Sequence, residues 1–146
     1  MPACLTIAPE SRCSAYDRDD YRYSQSLEQR LIERDGHVSG YTGARFYDVT
    51  DSQIEHVVAL SEAHDSGACG WSEDRKSAFA SDLRNLVLAE PEINRSKGGR
   101  DAGEWLPAEP SARCRLAATV VEVKAQWNLS IDRVERRALK KVLVRC

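Results

Sequence analysis

The stretch Ile54-Glu55-His56-Val57-Val58 sets a carboxylate and an imidazole side by side inside an apolar run. Downstream, Asn85 follows in Asp82-Leu83-Arg84-Asn85-Leu86, and Asn94 opens the basic segment Asn94-Arg95-Ser96-Lys97-Gly98. Neighbours on an ideal strand point to opposite faces. Glu55 and His56 therefore serve one site only where the strand bends or ends, or through a bound water. A divalent ion held by Glu55 and an amide oxygen neutralises a phosphate oxygen and stabilises a departing alkoxide. Two protein oxygens, completed by waters and substrate, suit Mg²⁺ or Mn²⁺. His56 is then placed to take a proton from the attacking water, work that imidazole performs near neutral pH.

This ordered set resembles the HNH endonucleases of the ββα-metal fold, in the branch whose last motif reads Asn-Arg-Ser-Lys-Gly. Here that motif is Asn94 to Gly98, followed by Asp101 and Glu104-Trp105-Leu106-Pro107. The resemblance covers roughly residues 41 to 129, with Tyr41-Thr42-Gly43 and Val123-Lys124-Ala125-Gln126-Trp127 as outer landmarks. It implies that His56 is the general base, that Glu55 and Asn94 hold the metal, and that Asn85 braces the loop bearing the base. Arg95, Lys97 and Arg100 are the expected contacts to the substrate backbone. Two positions depart from the pattern: Glu55 stands where Asp is common, and Ala59 where many members carry Pro.

Each residue also has a plainer reading. A histidine in an apolar run is often a satisfied core residue, and Glu55 has a second reading as a solvated strand position. Asn85 fits a turn held by its own amide. Asn94 lies just inside a helix opened by Pro91. His64 is expected to take a second-tier or surface role and His37 to sit in a turn.

At 146 residues and 42% apolar, the chain has material for one modest core. No run approaches the ~20 apolar residues that span a bilayer. The opening Met1-Pro2-Ala3-Cys4 has neither a basic leader nor a long apolar stretch, so the sequence reads as intracellular, a cytoplasmic protein. Net charge is −2, unevenly spread: residues 1–73 hold 6 Lys/Arg against 13 Asp/Glu, and residues 74–146 hold 15 against 10. Such asymmetry hints at a side that faces a polyanion, and equally describes two solvated faces. Five scattered cysteines without a Cys-x-x-Cys pair argue against a zinc knuckle and a dense disulfide framework. Free thiols are expected, with Cys69–Cys114 the bridge to consider in an exported protein.

The expected fold class is α+β: a ββα-metal core with flanking helices, in a single domain over 1–146. That domain divides into an arm and helix (1–40), the core (41–107) and C-terminal helices (108–146). Leu27 and Leu31 share a helical face that Gly36 ends. Residues 45–49 and 53–60 read as a hairpin, 61–70 as a loop. Ser72 caps a helix with Glu73 and Asp74 in its first turn, residues 84–89 return as a strand, and Pro91 opens the next helix. Residues 111–127 read as helix, with Val120, Val121 and Val123 leaving a strand open. Ser130 is the expected cap of a last helix bearing Arg133, Arg136, Arg137, Lys140, Lys141 and Arg145. That basic face suits a DNA backbone, a membrane or a partner, or is simply solvated.

The function these readings imply is metal-dependent hydrolysis of DNA phosphodiesters. The rivals are a non-catalytic nucleic-acid-binding module on the same fold, and an RNase. A monomer and a homodimer are both compatible with the sequence.

Overall fold

The computed structural model describes residues 5–146. The architecture is α+β, six helices around a two-stranded antiparallel sheet. Strand β1 (Gln53–His56) pairs with β2 (Leu86–Ala89) in the register Gln53↔Ala89 to His56↔Leu86. The helices are α1 (Leu27–Asp35), α2 (Leu60–Asp65), α3 (Glu73–Ala80), α4 (Pro91–Lys97), α5 (Pro110–Trp127) and α6 (Arg133–Leu143). In chain order, β1 leads through α2 and α3 to β2, and β2 runs directly into α4.

Local chemistry explains most of these elements. Ser72 accepts from Arg75 N and starts α3. Pro91 occupies the first turn of α4, where its missing N–H costs nothing. Gly98, at φ 54°, ends that helix in a conformation side chains resist. In α5 the buried positions Ala112, Leu116, Val120 and Val123 recur at helical spacing, so period outweighs the strand preference of the valines. Asn128, left-handed at φ 56°, closes it.

Three expectations change. Residues 45–49 form no strand: Asp48 accepts from Thr50 N at 2.9 Å and caps a 3-10 turn over Val49–Asp51. That local bond outcompetes a ladder, and β1 pairs with the distant β2 instead of closing a local hairpin. The loop expected over 61–70 contains α2. Asp132 caps α6, accepting from Glu135 N at 2.8 Å, while the Ser130 hydroxyl donates to Ser66 O.

The arm before α1 is irregular but fastened. Ile7 bridges to Ile131, Arg12 pairs with Asp65 at 2.7 Å, and Cys13 is disulfide-bonded to Cys69. Tyr21 is buried with its hydroxyl 2.7 Å from His64 Nδ1. A second disulfide, Cys114–Cys146, ties the C-terminus to α5. Free thiols and a Cys69–Cys114 pairing are therefore both replaced, because the fold brings each of those cysteines to a different partner. Cys4 and the start of the chain lie outside the described residues.

One core joins Phe79, Val57, Val58, Leu116, Val120 and Leu139, and a second joins Leu27, Leu31, Phe46, Ile54, Leu86 and Leu88 beneath α1. Gly40 donates its N–H to Leu88 O at 2.8 Å and brings the 36–46 loop onto β2. A Cβ at Gly40 would lie 2.6 Å from Val87 Cβ. This approach is what seats Tyr41 in the interior.

Candidate functional site

Strand β1 is buried on both faces after Gln53, and its alternation separates the two signature residues. Ile54 and His56 face α1 and the preceding segment; Gln53 and Glu55 face α4. His56 ends the strand. Its Nε2 lies 2.8 Å from Ala80 O, and Tyr23 stands edge-on at 4.9 Å between ring centroids. Burial pushes the imidazole down to a pKa of about 4, with the nearby Lys97 charge adding to the effect, so His56 is neutral at physiological pH.

Asn85 holds the turn that follows. Its Oδ1 accepts from Val58 N at 2.7 Å, its Nδ2 donates to Val58 O at 3.0 Å, and its own carbonyl accepts from Val57 N at 2.9 Å. The side chain is fully buried.

On the other face, Glu55 sits between two donors. Lys97 Nζ donates to Oε1 at 3.2 Å and the Tyr41 hydroxyl donates to Oε2. Lys97 also donates to His56 O at 3.0 Å, so it clamps the end of β1. Burial raises the Glu55 carboxyl, opposed by Lys97 and Tyr41. Burial and the adjacent Glu55 raise the Tyr41 phenol well above its usual range. Asn94, one turn before Lys97 on α4, donates Nδ2 to Gln53 Oε1 at 3.0 Å. Trp105 packs on Tyr41 at 5.3 Å and donates to Ser96 Oγ, a packing role.

Glu55, Asn94 and Lys97 thus lie along one β1–α4 seam, whereas the His56 ring lies behind the strand and Asn85 holds the Val57-Val58 turn. Lys97 departs from its expected place on the substrate backbone, because a carboxylate buried to this degree requires a counter-charge. Arg95 is exposed, and Arg100 donates to the carbonyls of Ser96 and Lys97. The Glu55–Asn94 pair does not fit a resident divalent ion in this arrangement, since the buried Lys97 ammonium already supplies the counter-charge of Glu55. His64 is buried rather than superficial, pinning the arm through Tyr21 and Ser14 O. His37 bonds Ser52 Oγ at 3.0 Å beside its turn.

The sequence reading missed a buried ionic cluster. Lys124 Nζ donates to Glu62 at 2.8 Å, to Glu135 at 3.1 Å and to Ser130 O at 2.9 Å. The signal was a lysine inside the apolar run of α5. Around it, Glu10, Glu62 and Asp101 bring carboxylate oxygens within 4.8 Å of one another, as do Asp101, Asp132 and Glu135. Their donor chemistry suits a hard cation. Burial and mutual repulsion push Glu10 up to about 7 and Glu135 up to about 8. A cavity of about 10 Å³ links this cluster to Lys97 and Trp105.

Against this geometry, residues 10–142 match the family described as GmrSD restriction endonucleases, C-terminal domain. The chain belongs to that family. The GmrSD C-terminal domains are those of a nuclease family, so the expected class of protein, a nuclease, stands. An "Uncharacterized secreted protein" of Arthroderma benhamiae is 29% identical over 165 residues, covering 97% of this chain and 81% of the relative. No solved structure matches the chain.

The intracellular, cytoplasmic expectation is corrected by that relative, whose name places it among secreted proteins. The two disulfides agree with the correction, since such bonds persist in oxidising compartments. Among the described residues no helix is long and apolar enough to cross a membrane.

Proposed function

We propose that this GmrSD-family chain is an exported endonuclease of the HNH type, one domain over 1–146, hydrolysing DNA phosphodiesters with His56 as general base. The observation that carries the reading is the contact of His56 Nε2 with the carbonyl of Ala80. A carbonyl only accepts, so Nε2 bears the ring proton and Nδ1 keeps a lone pair on a neutral imidazole. That lone pair takes a proton from the attacking water as the new O–P bond forms and the P–O3′ bond breaks, and the departing 3′-oxygen takes a proton from solvent. The products are a 5′-phosphate and a 3′-hydroxyl.

Asn85 fixes the Val57-Val58 turn behind the base, and Arg95 and Arg100 offer exposed charge to the DNA backbone. Tyr23 covers the ring, so a productive complex requires the substrate to displace it. The order β1, excursion, β2, α4 supports the ββα-metal comparison. Dependence on Mg²⁺ or Mn²⁺ belongs to the same reading, but no step is assigned to an ion while Lys97 occupies Glu55.

The test is supercoiled-plasmid cleavage by wild type, His56→Ala and Tyr23→Ala, with Mg²⁺, Mn²⁺ or EDTA, beside an RNA substrate. Nicking by wild type and its loss in His56→Ala support the assignment. Undiminished turnover by His56→Ala removes the base, and preference for RNA moves the substrate class. Loss in EDTA would mean that an ion displaces Lys97 from Glu55 or binds elsewhere in the domain.

A further inference from the structure

Beyond the β1–α4 seam, a pocket of about 390 Å³ opens between the loop at 102–106, the start of α5 and the end of α6. Its walls carry three cations, Arg113, Lys141 and Arg145, and no carboxylate; Leu106 and Val142 contribute apolar floor. Arg113 donates Nε to Pro107 O at 2.6 Å, which aims the rest of its guanidinium. Among the described residues, no carboxylate lies within ion-pair distance of Lys141 or Arg145. The Cys114–Cys146 bond fastens the residue beside Arg145 to α5 and fixes that wall.

Three like charges around one concavity repel one another unless an anion sits among them, and a cleft lined by one sign focuses its field on such a ligand. The volume lies in the range of small-ligand sites, enough for the phosphate and sugar of one nucleotide. Ala102 belongs both to this pocket and to the small cavity lined by Lys97 and Arg100 on one side and by Glu62, Asp101 and Glu135 on the other, so the pocket adjoins the segment that follows α4.

We infer that the pocket between α5 and α6 anchors a backbone phosphate of the DNA outside the cleavage site, an inference that rests on the nuclease reading. Charge-assisted contacts from three cations hold the phosphodiester while the apolar floor meets the sugar.

The test is fluorescence anisotropy with a short labelled duplex in EDTA, where binding is read without cleavage. Wild type is compared with Lys141→Gln/Arg145→Gln, and with Arg30→Gln/Arg45→Gln, which removes equal charge from exposed positions outside the pocket. Thermal melts check that both variants fold. The expected result is an affinity loss of roughly tenfold at ~100 mM salt for the pocket pair, with a salt slope shallower by roughly 2 and a much smaller change in the control. Equal losses in both variants, or none, overturn the pocket. So does pair-dependent binding to phosphatidylserine vesicles with duplex binding unchanged. Failure of wild type to bind any duplex overturns this inference together with the DNA reading, whereas binding that ignores the pocket pair overturns this inference alone.

Discussion

His56 points its Nε2–H at Ala80 O, 2.8 Å away on the last turn of α3, so one of the two helices between the strands also sets the tautomer of the ring at the end of the first. Burial depresses this histidine to about 4 from an ordinary 6.5. The folded pKa lies below the unfolded one, so the stabilisation is present above about 6.5 and lost as pH falls through about 4. The cleavage rate should therefore show no inflection near 6.5. Proton NMR of the His56 ring checks the titration, and a midpoint near 6.5 would mean that the ring is solvated.

Asn85→Ala deletes both amide bonds to Val58 and leaves a buried N–H and C=O without partners. A loss of about 2–4 kcal/mol is expected, together with slower cleavage, because the turn after His56 is no longer fixed. Urea denaturation reads the first effect and plasmid nicking the second.

Lys124→Met strands Glu62 and Glu135 in the interior and should cost about 3–5 kcal/mol. Replacing all three with apolar residues of similar volume should recover most of that loss, since the cost comes from uncompensated charge rather than from losing the pair itself. Chemical denaturation of the single and triple variants compares them.

Glu135 has a folded pKa raised to about 8 and Glu10 to about 7, against an ordinary 4.5. Raised carboxyls contribute stability that is complete below about 4.5 and lost as pH rises through those values. Melting temperature should fall between pH 5 and 8, and Glu10→Gln/Glu135→Gln should flatten that slope. A slope unchanged in the double variant would assign it to other groups.

The Cys13–Cys69 bond closes a loop of 56 positions and Cys114–Cys146 one of 32. Chain entropy assigns about 4 kcal/mol to each. Cys13→Ser/Cys69→Ser should lower the melting temperature more than Cys114→Ser/Cys146→Ser, because the first pair also holds the arm that covers His64. Thiol counting on the unfolded wild-type protein, expected to find neither pair titratable, checks that both bonds form.

The helices were legible wherever a cap or period was local. Ser72, Pro91, Gly36 and Gly98 mark ends through their own local chemistry, and α3, α4 and the close of α1 follow from them. What failed was what depends on distance in the chain. Gln53–His56 carries no mark of its partner in its own residues, and nothing near Asp48 says that the partner is Leu86–Ala89. The cysteines show the same limit, since pairing is decided by packing that brings Cys13 to Cys69 across the arm. At the site, the motif residues could be named from the sequence, but strand alternation placed Glu55 and His56 on opposite faces. That placement handed Lys97 to the carboxylate, a demand of burial that spacing does not record.

Gly40 carries no side chain, and its backbone lies where a methyl group would overlap Val87. The loop that presents Tyr41 to Glu55 is therefore gauged against β2 by contact, with no slack in that direction. A single added carbon there acts as a wedge whose displacement is passed along one residue to a phenol buried 2% exposed, and from it to the carboxylate that Lys97 grips. The tolerance of the Tyr41 end of the seam is set by a position that has nothing to offer but room.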